Sequence, residues 1–167
     1  MAPRLLPSLL LFVASALACG GPAGSYDGTV YRGPETGFTL PQPGNGWERV
    51  DVEESNDLAW ANDGAVIQVN ASCDPGLDIP LEALTAHLMI GFTERNLVSQ
   101  ERVPMAGREA LRTHVQAKLD GVPRELVLVV LKKNECVYDF AAVAPPGSSF
   151  ERTQPVFDGM LARFETR

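Results

Sequence analysis

Residues 109–144 read EALRTHVQAKLDGVPRELVLVVLKKNECVYDFAAVA, three apolar-rich runs separated by two short polar breaks. From Glu109 to Leu119 polar Arg112, His114, Gln116 and Lys118 alternate with apolar neighbours, the period of two that marks a strand with unlike faces. Arg124 to Lys132 and Cys136 to Ala144 continue in the same manner. Asp120-Gly121 and Lys133-Asn134 supply tight reversals, because Asn, Asp and Gly tolerate the positive φ that two-residue hairpin turns require. Consecutive strands joined by turns this short must pair antiparallel.

Upstream, short strands are expected at Gly37 to Leu40, Trp47 to Val52, Leu58 to Ala61 and Ala65 to Cys73. They are divided by Pro41-Gln42-Pro43-Gly44-Asn45-Gly46 and by the hairpin signal Asn62-Asp63-Gly64. The spacing of Leu81, Leu84, Leu88 and Phe92 predicts a helix from about Ile79 to Arg95, with Asp78 as its cap and Pro80 in its first turn. A further strand, Val98 to Met105, precedes the central runs. After Ser149, Phe157, Met160, Leu161 and Phe164 recur at helical spacing, and Pro155 either starts that helix late or bends it. Many strands and two helices give an α+β fold, a single domain whose mostly antiparallel sheet packs against the helices.

The N-terminus speaks to location. Arg4 precedes a nearly uninterrupted apolar run from Leu9 to Leu17, and Ala16-Leu17-Ala18 places small residues before Cys19. This is the layout of a signal peptide over residues 1–18, too short to span a bilayer. Ala16-Leu17-Ala18-Cys19 resembles the lipobox of bacterial lipoproteins, with Ala16 where Leu is commoner, so lipidation of Cys19 is expected. The same residues satisfy the Ala-x-Ala rule of ordinary signal peptidase, which would release a soluble protein. Gly20 to Gly28 has the composition of a flexible linker, and residues 19–34 are read as a lipidated cysteine with its tether. Gly20, rather than Asp, after the cysteine implies the outer membrane.

The chain of 167 residues carries a formal charge of −7, and removing residues 1–18 costs one basic residue, Arg4, and none of the 21 acidic ones. So acidic a surface excludes nucleic acid as partner and disfavours adhesion to anionic lipid. Of three cysteines, assigning Cys19 to lipid leaves Cys73 and Cys136. Alternation turns Cys73 to the side of Ile67, Val69 and Ala71, and Cys136 to the side of Tyr138 and Phe140. Both point to an apolar face, where they form a disulfide or remain two buried thiols. Without a nearby His or a CxxC spacing they make a poor metal site, and no cofactor motif is present.

Gly37-Phe38-Thr39-Leu40-Pro41, Gly46-Trp47, Val103-Pro104-Met105-Ala106-Gly107-Arg108-Glu109-Ala110, the paired strands and the final Phe-containing helix resemble a PsbP-like or DcrB-like domain across residues 35–165. Segments 108–112, 120–123 and 136–140 also resemble small deltaproteobacterial lipoproteins. The resemblance implies an antiparallel sheet packed on helices, over residues 35–167, used for docking to other proteins. It implies no shared catalytic residues.

Nor does the sequence offer catalytic residues of its own. His87 lies on the flank of a helical stripe and His114 on a polar strand face, both read as surface positions; no Gly-x-Ser-x-Gly elbow or phosphate loop is present. Arg108, Arg112, Lys118 and Arg124 fall on or beside one polar strand face and suggest a basic strip for an acidic partner. The expected function is therefore a lipid-anchored, non-catalytic binding or scaffolding module of the envelope, with an envelope protein as partner. The alternatives are a secreted enzyme with an atypical site, or a carrier holding a small apolar ligand among Phe38, Trp60 and Phe140.

Overall fold

The computed structural model describes residues 24–44, 46–51 and 58–167. The signal segment 1–18 and the lipidation site Cys19 lie outside the described residues. In chain order the elements are β1 (Ser25–Tyr26), β2 (Val30–Arg32), β3 (Gly37–Thr39), β4 (Glu48–Val50), β5 (Leu58–Asn62), β6 (Ala65–Ser72), a 3-10 turn (Pro75–Leu77), α1 (Leu81–Leu88), β7 (Phe92–Met105), β8 (Arg108–Leu119), β9 (Val122–Lys133), β10 (Cys136–Ala144), α2 (Ser148–Leu161) and β11 (Glu165–Thr166). A seven-stranded sheet runs β4-β5-β6-β10-β9-β8-β7, and a small one runs β1-β2-β3-β11. Neighbouring strands pair antiparallel. This is the expected α+β architecture, and the turns explain it: Asp63-Gly64, Ala106-Gly107, Asp120-Gly121 and Asn134-Glu135 all take the positive φ of two-residue hairpins. The last lies one residue later than Lys133-Asn134, because Lys133 continues the pairing opposite Cys136.

The large sheet has two unlike faces. On the first, Tyr138, Phe140 and Ala142 of β10 join Ile67, Val69, Val127 and Val129 beneath α2 and the small sheet. Phe164, just after α2, packs within 4.9 Å of Phe140, 5.2 Å of Tyr138 and 5.7 Å of Phe38, centroid to centroid. Pro155 lies inside α2, exposed, where its missing N–H costs the helix one bond. On the second face α1 packs against β8 and β9. Leu126 to Leu131 are all buried because β9 is covered on both sides.

Two expectations are corrected. The helix ends at Leu88 rather than near Arg95: Gly91 takes φ 90°, and Phe92, the last member of the apolar stripe, opens β7 opposite Leu119. Pro80 is the N-cap residue, while Asp78 closes the preceding 3-10 turn. Residues 24–34, assigned to a tether by composition, carry β1 and β2, because two aromatic residues there are anchored. Tyr31 stacks on Phe38 at 4.8 Å, and the Tyr26 hydroxyl donates to the Leu40 carbonyl at 2.7 Å.

Between those strands the Asp27 carboxylate accepts from the Val30 N–H (2.7 Å), the Arg32 guanidinium (2.9 Å) and the Thr29 N–H (3.0 Å), and these hold its pKa down at about 2. A depressed carboxylate stabilises the fold above its unfolded value of 3.8 and loses that contribution as pH falls through about 2. Carboxyl-carbon NMR should therefore find an Asp27 midpoint near 2, and Asp27→Asn should remove this part of the acid dependence.

Cys73, just past β6, and Cys136, opening β10, are joined by a disulfide across the strand pair. It closes a loop with a sequence separation of 63, for which the chain-entropy model gives about 4 kcal/mol. Replacing both cysteines with Ser should lower unfolding free energy in urea by roughly that amount; an unchanged midpoint would contradict it.

Candidate docking face

Helix α1 has eight residues, about 12 Å at 1.5 Å per residue, and it covers parts of β8 and β9 and the start of β10. It is fastened firmly over them. Leu81 and Leu84 bury against Leu111, Val130 and Val137, with Leu88 at the margin. The Lys132 amine bonds the Asp78 carboxylate and the Ile79 carbonyl at the helix entrance. Arg102 of β7 bridges Glu82 on α1 and Glu109 on β8, each at 2.7 Å.

The remainder of this face, on β10 and β6, is left open by the described helices. There the sheet floors a groove of about 290 Å³ between the end of α1 and β6. Its walls are apolar, including Leu88, Phe92, Leu119, Val66, Ala141 and Val143, while Gln68, Asn70 and Asp139 stand on its floor. Asn70 and Asp139 are register partners across β6 and β10. Beyond the groove, Ile90 is 74% exposed and Val122 48%. Apolar side chains that extend from a groove onto the surface are the usual mark of a contact site.

The four basic residues do not form the expected strip. Arg112 lies on the α2 side and is paired with Asp158 of that helix at 2.8 Å. Lys118 is paired with Glu94 at 2.8 Å. Arg124 stands opposite Ala117 on the α1 side, so β9 presents it to the other face. Arg108 borders a separate cleft of about 510 Å³ at the disulfide end of the sheet, where Lys132, Lys133, Asp74, Asp78 and Glu135 mix both signs of charge. Strand parity puts Arg112 and Lys118 on one face as read and Arg124 on the other, and helix α2 supplies an acidic partner to Arg112, which no strand pattern could announce.

His114 is half-buried rather than freely exposed. It lies beside the first turn of α2, its ring stacked on Phe150 at 5.1 Å and its Nε2 2.9 Å from the Glu125 carboxylate. His87, near the end of α1, is exposed as expected. The interior imagined for an apolar ligand is filled: Phe38, Trp60 and Phe140 are buried in the core, Trp60 against Tyr26 at 5.8 Å. The sequence reading passed over Asp139. Its signal was present, since Asp139 is the one charged residue in Cys136 to Ala144.

No family model matches the sequence, and no curated protein matches it by sequence. Among solved structures the chain is similar to cyanobacterial PsbP (CyanoP) from Synechocystis sp. PCC 6803, with 14% identity and a TM-score of 0.56 over 89% of this chain and 99% of that one. It is similar to LpqN of Mycobacterium tuberculosis, described as involved in cell envelope biogenesis, with 11% identity and a TM-score of 0.54 over 77% and 82% of the two chains. A structure from Bacteroides thetaiotaomicron shares 13% identity with a TM-score of 0.56, over 85% of this chain and 49% of that one. The fold is thus PsbP-like, as the resemblance implied.

Arg112→Glu sets a second carboxylate against Asp158 beneath α2 and should destabilise the protein by about 1–3 kcal/mol. Lys118→Glu, at a more exposed pair, should cost under about 1 kcal/mol. Paired urea titrations of the two variants check the order.

Proposed function

We propose that this protein is a non-catalytic binding module of the bacterial cell envelope, held on a membrane by lipid at Cys19, which presents its half-covered sheet face to a protein partner. The observation that carries the reading is the apolar groove beside α1, on the sheet face opposite the small sheet in which the described chain begins. Gly24 follows Cys19 by five residues, a reach of at most about 18 Å. A lipid there keeps the start of β1 within that reach of the bilayer. The acidic charge supports a covalent anchor over adhesion to anionic lipid, and Gly20 favours the outer membrane. LpqN, an envelope-biogenesis protein of the same fold, agrees with that setting.

Two measurements test this. The intact mass of the protein from its native envelope should equal residues 19–167 plus acyl groups, and Cys19→Ser should release it from membranes. A photo-crosslinking residue in place of Val143, in the groove, should trap a defined protein neighbour in cells, while one in place of exposed Arg152 on α2 should not. An unacylated mass overturns the anchor; equal trapping from both positions overturns the docking face.

A further inference from the structure

We propose that the pocket between the first turns of α2 and the β5–β6 hairpin binds a single neutral sugar ring, stacked on Trp47 and held at its hydroxyls by Asn62, Asp63, Ser149 and Arg152. The site lies on the face of the large sheet that α2 covers, away from the groove, and it stands independently of the docking reading. Three elements build it. The Trp47 N–H donates to the Gly44 carbonyl at 3.4 Å and sets the indole at the entrance to β4. Because Glu48 pairs with Ala61, Trp47 comes level with Asn62, the last residue of β5. Asp63 follows in the hairpin turn, at φ 47°. From α2, Ser149, Arg152, Thr153 and Val156 recur at the three- and four-residue steps of one helical stripe, so they turn to the same side. Together these residues line a pocket of about 210 Å³.

Trp47 is half-buried: part of its indole packs against the core beneath α2, and part lines the pocket. The polar groups around it have bonding capacity to spare. Asp63 and Arg152 meet at 3.5 Å, with side chains 82% and 65% exposed, a longer contact than the about 2.7–2.9 Å of a strong charged hydrogen bond. Neither the Asn62 amide nor the Ser149 hydroxyl bonds another group among the described residues. Gly46, at φ 89°, keeps the amide clear, since a Cβ there would stand 3.2 Å from Asn62 Nδ2.

These groups select their ligand by chemistry. One guanidinium and one carboxylate leave the pocket without net charge, so neither an anion nor a cation is favoured. A wholly apolar ligand would take Asn62, Ser149 and the ion pair out of water and return no bonds. A sugar ring offers an apolar C–H face to the indole and a rim of hydroxyls, each both donor and acceptor. The amide and the serine hydroxyl match both roles, the carboxylate accepts and the guanidinium donates. A proline-rich peptide also stacks on indole, but its prolines have no N–H to offer Asp63. The volume lies below the roughly 300 Å³ at which pockets begin to enclose drug-sized molecules, so the pocket takes one ring, the end or side branch of a glycan.

The test uses the intact mature protein and the methyl glycosides of glucose, galactose, mannose and N-acetylglucosamine, with a proline-rich peptide alongside. Binding is read by NMR, from saturation transfer to the ring protons and from the indole N–H signals. The chain has two tryptophans, and Trp60 is only 2% exposed, so its signal serves as an internal reference. At least one glycoside should receive saturation and shift the Trp47 signal at millimolar concentration while Trp60 stays in place. Arg152→Ala, at an exposed position that leaves the core intact, should weaken that glycoside about tenfold, and Trp47→Ala should abolish its saturation transfer. Asn62→Ala should weaken it as well. A panel in which no glycoside moves Trp47 would overturn the inference, as would a glycoside held equally well by the Arg152→Ala and Asn62→Ala variants. A Trp47 shift produced by the peptide and by no glycoside would assign the pocket to protein and overturn it too.

Discussion

A seven-stranded sheet has two faces to keep from water, and this chain covers them unequally. The first lies under α2, the small sheet and the aromatic cluster around Phe164, where Phe38, Tyr138 and Phe140 are all buried. The second receives eight residues of helix. A helix that short leaves part of the face uncovered, where apolar Val66, Ala141 and Val143 stand beside polar Gln68, Asn70 and Asp139. Leu81 and Leu84 seat the helix on Leu111, Val130 and Val137, with Arg102 and Lys132 pairing at its margins.

The edge of the sheet offers a contrast. β7 is long and exposed, which would ordinarily invite another strand to pair with it. Its pairing with β8 is interrupted by register shifts between Thr93 and Asn96 and between Leu97 and Ser99, Pro104 withholds a donor, and Glu94, Glu101 and Arg102 place charge along it. These are the devices by which sheets resist edge-to-edge association. The edge is thus guarded against strand addition by its own sequence.

The strands and their turns were legible because the evidence for them is local. Asp120-Gly121 and Asp63-Gly64 specify their own backbone, and alternation along β6, β8 and β10 specifies sides, which is why Cys73 and Cys136 could each be placed toward an apolar face, while the bond between them came from the register of β6 with β10. What escaped was set by partners distant in sequence. Phe92 has helical spacing from Leu88, yet pairing with Leu119 draws it into a strand. Tyr26 and Tyr31 stand in a glycine-rich stretch, yet Leu40 and Phe38 bind them into the fold. Arg112 has the alternation of a free basic residue, yet Asp158 arrives from a helix 46 positions later.

The order of the large sheet divides it into two meanders. β4 to β6 follow one another, as do β7 to β10, and the halves meet along β6 and β10 alone. The Cys73–Cys136 bond crosses that seam. The groove straddles it as well, with Val66, Gln68 and Asn70 from one meander and Asp139, Ala141 and Val143 from the other. Neither half contains the groove by itself; it exists only once the two meanders have joined along β6 and β10, a junction that the disulfide ties covalently at one end.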